Sequence, residues 1–377
     1  MSRQVRLIVG LVLVLGYLLC LPVLFHANTL TPASVDSVPT DGVIAEVHGN
    51  GKLQALIIFD SKRAKTIDAT NEIKVSNLEV GDDAARFTSG MLTPSGTAYL
   101  LDDKNRVYRQ PMGHDFIVSK PLKIDGDILA IAAEDKNGIL WCAARRHTPA
   151  PDALMVYAIN LQNGKTLASV NLGAQDGNAS FDTSASNGGV LLTASATPGA
   201  FLFKYEFASI TSHYLALDDL VTSTAFDGDD PILGTRSGSA ITFDSKTGKQ
   251  LRSYQTNSLS ASFVSSEDGT LGIGHAAGTA TVGGGSFQTV EMATGDITGE
   301  CAAHAMVSSG SATHNMSGFV YGLESGQIAL VTSDKGCEAL ESPKDAKPGS
   351  IRLIACQWPI CLAIGTKQIE RIAFKSK

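Results

Sequence analysis

Hydrophobic positions fall in short runs separated by polar, Gly-containing turns along most of the chain, and this pattern predicts many short β-strands. The clearest stretch is 231–254, PILGTRSGSAITFDSKTGKQLRSY. It reads as strands at 232–234, 239–243 and 250–254, the last two joined by the polar turn DSKTGK. The arrangement recurs. Taking Asp244 as reference, equivalent positions are Asp60, Asp102, Asn160, Glu206, Glu291, Thr332 and Ala373, spaced 38 to 58 residues apart. A period near 40–50 residues with several strands per repeat is the signature of a β-propeller. The longest step contains a Pro-rich insertion, RRHTPAPDA at 145–153, which belongs in a loop.

The predicted fold is therefore all-β: a propeller of seven, alternatively eight, four-stranded blades over residues 42–377. The last repeat stops after its third strand, IERIAF, so an N-terminal strand at 42–48 can complete it, which gives seven blades. Counting every reference position separately gives eight.

The opening of the chain follows a different pattern. Arg3 and Arg6 precede an uncharged apolar run at 7–25, 19 residues long. That length suits a membrane-spanning helix of about 20 residues. Residues 1–27 are thus expected to be an uncleaved signal-anchor, with the N-terminus cytoplasmic and the remainder exported. If the segment is instead cleaved, the product is secreted. Residues 28–41, rich in Ser, Thr and Pro, are expected to be a linker holding the domain off the membrane.

Composition agrees with a turn-rich β fold: 37 Gly, 6% aromatic and 18% charged residues. A formal charge of -7 supplies no basic footprint for nucleic acid.

The segments YAINLQNGKTLASV and ITFDSKTGKQLRSY resemble repeats of the quinoprotein-like (PQQ-like) and WD40-like propeller superfamily, with its Asp-x-x-x-Gly-Lys turn. The resemblance implies the propeller fold over most of 42–377. It departs from the catalytic members, because the Trp expected after the turn is missing and no adjacent Cys-Cys pair exists. What it implies is a non-catalytic envelope protein that uses no cofactor and acts as a scaffold for an envelope or membrane partner.

Candidate chemistry is sparse. Cys356 and Cys361 flank QWPI in a hairpin, where the two residues can face each other and form a disulfide. Cys301 and Cys337 occupy similar places one repeat apart and form the second candidate pair. Cys142, in GILWCAA, reads as a buried thiol. Asp residues cluster at 82–83, 125–127 and 227–230, each explained by turn chemistry. Asp227, Asp229 and Asp230 are the ones to inspect for a metal. None of the eight His has metal-ligand spacing, and no nucleophile elbow or phosphate loop occurs. Trp141 and Trp358 lie in strand-like runs and are expected to pack in the core. The leading expectation is a membrane-tethered scaffold. The alternatives are an enzyme (lyase, lactonase or hydrolase) or a small-ligand or quinone binder with a site on the propeller axis.

Overall fold

A computed structural model describes residues 28–374, except residue 31 and positions 60–62, 80–85, 112–113, 115–116, 119–120, 148–151, 176–177, 184–188, 257, 278–283, 315–317, 333–335 and 341–348. The expected membrane anchor at 1–27 lies outside the described residues.

The strands assemble into eight antiparallel sheets, each a blade with one innermost and one outermost strand. Blades 1 to 7 span residues 44–79, 87–118, 127–171, 179–215, 221–254, 259–302 and 307–340 in chain order. Blade 8 takes three strands from 351–374 and its outermost from Pro32–Pro39. A short strand, Asn28–Leu30, adds in parallel to the outer edge of blade 7.

The blade count is eight, the alternative expectation, rather than seven. Strand Ile44–Gly49 does not complete the last blade; it is the innermost strand of blade 1. Closure instead uses the stretch expected to be a linker. Its apolar period is hard to see because an outermost strand exposes most of its residues, leaving Val35 and Val38 turned inward. Pro32 and Pro39 are tolerated because they sit at the two ends of an edge strand.

The repeat register also needs one correction. Asp244, Asn160, Glu206, Glu291 and Thr332 end or follow third strands, as expected. Asp102 ends a second strand, Ala98–Asp102, so it is one strand out of register. Asp60 lies outside the described residues, after the second strand Gln54–Phe59. The true equivalents in blades 1 and 2 are Asp68 and Gln110, which end third strands. The Pro-rich insertion does lie between strands, Ile139–Arg146 and Ala153–Asn160.

Packing explains why this ring forms. A central strand is covered on both faces by neighbouring blades, so Ile139–Arg146 is buried over its first six residues. The outermost strand Thr166–Asn171 alternates exposed and half-buried positions instead. Apolar clusters fill every seam between blades. At the closing seam Leu362, Ile364 and Ile369 of blade 8 meet Leu53, Ala55 and Ile57 of blade 1. Trp141 is fully buried between blades 3 and 4, its Nε1 donating to Glu134 at 2.8 Å. Trp358 is half-buried and stacks on Phe374 at 4.9 Å.

Strand direction defines two faces. Turns joining first to second and third to fourth strands lie on one face, called lower here. Turns joining second to third strands, and the connections between blades, lie on the upper face.

Candidate functional site

The innermost strands line a central channel, and their local geometry repeats. In seven of the eight blades the first strand carries an irregularity near its start, for example between Val221 and Ser223, Ala261 and Phe263, and Val307 and Ser309. Such a bulge turns one extra residue away from the ladder and bends the strand. In three successive blades that residue carries a hydroxyl, which staples the next blade. Thr222 donates to the Ala261 carbonyl at 2.8 Å, Ser262 to Val307 at 2.6 Å, and Ser308 to Ile351 at 2.6 Å. Arg352 holds the same place in blade 8, where the chain of staples stops.

The channel holds a cavity of about 540 Å³, to which Met306, Glu324 and Ser350 from upper-face connections contribute. Glu46, His48, Ser180, Ser308, Glu324 and Arg352 are among its lining residues. His48 Nε2 lies 3.1 Å from Glu46 Oε2. Two carboxylates, one guanidinium and one imidazole thus share a site otherwise made of Ser, Gly and apolar side chains. The hydroxyls of Ser262 and Ser308 are committed to backbone carbonyls, which removes them as ready nucleophiles. The mouth is bordered by exposed apolar residues at or just before innermost strands: Leu259 in blade 6, Met306 before blade 7 and Val43 before blade 1.

The predicted disulfides are both present. Cys356 and Cys361 are directly opposed across their hairpin, 4.1 Å apart at Cα. Cys301 and Cys337 bond between the outermost strands of blades 6 and 7, 5.9 Å apart at Cα. Equivalent strands of adjacent blades approach closely enough at the rim for this bond. Cys142 is buried, and desolvation pushes its thiol well above the usual range.

The acidic candidates serve turns. Asp227 and Asp230 pair at a hairpin whose turn includes Gly228 at φ 60°. Asp230 accepts from the Ser245 backbone at 2.9 Å, and Asp227 accepts from Ser266 Oγ at 3.2 Å. Asp229 is exposed between them. Among the described residues no three His, Cys, Asp or Glu are grouped to hold a metal ion. Asp82 and Asp83 lie outside the described residues. Asp127 and Asp152 flank His147 at 3.1 and 3.0 Å, and their hydrogen bonds raise its pKa.

The Asp244 turn is structural. Its carboxylate accepts from the backbones of Lys246 and Thr247 at 2.9 and 2.7 Å, while Gly248 takes φ 67°. Hydrogen bonds from Thr247 hold the Asp244 carboxyl below its usual range. Asn160 repeats the arrangement with Gly164 at φ 68°, as does Glu291 in its backbone bonds with Gly295 at φ 84°.

Sequence reasoning missed one buried polar site. His275 is fully buried, its Nε2 3.1 Å from the Gly238 carbonyl and 3.1 Å from Thr256 Oγ1. Its Nδ1 lies 3.3 Å from Ser286 Oγ, which in turn contacts Ser258 Oγ at 2.7 Å. The group locks blade 5 to blade 6, and no motif announces it, because its members come from four separate loops and strands. Desolvation lowers the His275 pKa, so the folded ring is neutral. The unfolded chain takes up this proton near pH 6.5 and the folded chain only below that, so acid favours unfolding. Stability is expected to fall as pH drops below about 6.5, and this loss should be smaller in His275→Asn. Melting temperatures of both proteins at pH 7.5 and 5 test it; equal losses would contradict the assignment.

No protein-family model matches the sequence, and no curated protein matches it. Solved structures do. The computationally designed protein Ika8 is similar with a TM-score of 0.64 and 14% identity, covering 92% of this chain and 99% of that one. The C-terminal WD40 domain of Sif2 gives 0.66 and 9%, covering 91% and 99%. A chain of a mitotic checkpoint complex gives 0.53 and 10%, covering 93% and 94%. At these identities the likeness shows the β-propeller fold alone.

Proposed function

We propose that this chain is a membrane-tethered, extracytoplasmic propeller of the quinoprotein-like, non-catalytic kind, which holds an envelope or membrane protein partner on its upper face. The observation that carries the reading is the channel mouth. Val43, Leu259 and Met306 are exposed there, at 74%, 59% and 40%, on an arc that also presents Arg352. Met and Arg are enriched in protein interfaces, and exposed apolar side chains around the mouth give a partner area to cover. Two disulfides support an oxidising compartment, and the apolar run at 7–25 supports tethering.

The test is co-purification from cross-linked native membranes, comparing the parent chain with a Met306→Ala, Arg352→Glu double variant. The parent should retain a stoichiometric partner and the variant should lose it at an unchanged melting temperature. Retention of the same partner by both, or recovery of the chain alone, removes the support for this surface.

The channel favours a second reading. Its volume of about 540 Å³ falls within the range of small-molecule sites, so a small ligand or quinone on the axis is the alternative. An absorbing species in purified protein would favour it.

A further inference from the structure

The hairpin between Ala200–Glu206 and Ser209–Leu215 in blade 4 turns on Phe207 and Ala208, both at positive φ, 51° and 60°. Two-residue hairpin turns of this hand favour Asn-Gly, because side chains crowd the left-handed region. Here a Phe occupies it, 99% exposed. A strained turn that displays a large apolar side chain to solvent calls for something that receives it.

Its neighbours share the character. Leu167 of blade 3, Leu251 of blade 5 and Ile297 of blade 6 are exposed at the same end of their outermost strands, beside the lower-face turns. These blades adjoin along the rim: Gly248 of the blade 5 turn sits against His213 of blade 4, and Arg252 donates to the Met292 carbonyl of blade 6. Lys165, Lys246 and Lys249 are exposed on the same turns, as are Glu291 and Asp296.

The entry of the N-terminal chain selects what this rim faces. Strand Pro32–Pro39 begins opposite Phe374, the last residue of the third strand of blade 8. In every other blade that place belongs to a lower-face turn, so the chain enters blade 8 on the face that carries Phe207. Only His26 and Ala27 separate the apolar run ending at Phe25 from the first strand, which starts at Asn28. Three residue steps span at most about 11 Å. Asn28–Leu30 runs parallel to Glu338–Leu340 of the outermost strand of blade 7, which rises from the lower face. A tether before Asn28 therefore reaches the ring from below and brings its lower face to the lipid surface.

We propose that the lower rim of blades 3 to 6, with Phe207 at its tip, inserts into the interface of the same bilayer that the anchor enters. This rests on the tethering reading. Side chains in such contacts sit about 5–10 Å into the headgroup boundary.

The full chain, reconstituted in phosphatidylcholine vesicles with acyl chains brominated near the headgroup, tests it by Trp fluorescence. Phe207→Trp should add emission that is blue-shifted and mostly lost to the bromines, after subtraction of the unchanged chain. Asp218→Trp, exposed on the upper face, should add emission that is not quenched. If Phe207→Trp fails to fold, Leu251→Trp reads the same rim. Absence of quenching at the rim, in chains that stay with carbonate-washed vesicles, overturns the contact and leaves tethering intact. Equal quenching of both faces also overturns it. A shift that appears only when native membrane proteins are added assigns the rim to a protein and overturns it as well. A chain found in the carbonate supernatant refutes tethering, and the lipid contact with it.

Discussion

Changing Val35 and Val38 together to Asp should abolish the single cooperative unfolding transition of the domain, read by calorimetry or circular dichroism. These two residues point to opposite sides of the closing strand. Val35 packs into the seam between blades 7 and 8, and Val38 into the seam between blades 8 and 1. Losing two partly buried Val side chains costs about 2–4 kcal/mol in transfer free energy. Placing carboxylates against those apolar seams adds a desolvation penalty of several kcal/mol. A domain with about 5–15 kcal/mol of stability has little left after both losses. The ring amplifies the damage, since opening one seam exposes two blade faces. Ser34→Asp with Ser37→Asp is the control. Both positions are exposed on the same strand, and that variant should melt as the parent does.

The second large effect concerns the rim disulfide. Cys301 and Cys337 are 36 residues apart in sequence, whereas Cys356 and Cys361 are five apart. Constraint of the unfolded chain grows with loop length, giving about 4 kcal/mol for the longer loop and about 2 kcal/mol for the shorter. Paired Cys→Ser substitutions followed by urea unfolding should show that order. The bond also ties blade 6 to blade 7 at their outermost strands. Equal costs for the two pairs, or a larger cost for the hairpin pair, would contradict this account.

Much of the fold could be read from local chemistry. The three strands of blade 5 fall within one or two residues of their expected bounds, and Ala240–Phe243 and Gln250–Tyr254 flank the DSKTGK turn. The reason is that Asp244 and Gly248 set that turn by themselves, through a carboxylate on two backbone amides and a left-handed glycine. The hairpin disulfide was equally legible, because cross-strand pairing follows from the spacing of Cys356 and Cys361.

What escaped depended on partners distant in sequence. Residues 32–39 alternate weakly, since an outermost strand leaves most of its residues exposed and finds its partner more than 300 residues away at 368–374. Without this strand the last blade calls for 42–48 instead, which favours seven blades over eight. The channel was invisible for a related reason. Innermost strands of several blades contribute one to four residues each, such as Ser180 or Ser308, and no short motif links positions one repeat apart. Phe207 was passed over because a lone aromatic in a repeat reads as core until its exposure is known.

The closing strand sets the blade count. Peptide-level hydrogen exchange of residues 32–39 in the full chain tests this most directly. Amides there should be protected to the same degree as those of the paired strand Gln368–Phe374, since the two share a ladder. Exchange at the rate of an unstructured linker, with 368–374 still protected, would contradict closure by the N-terminal strand.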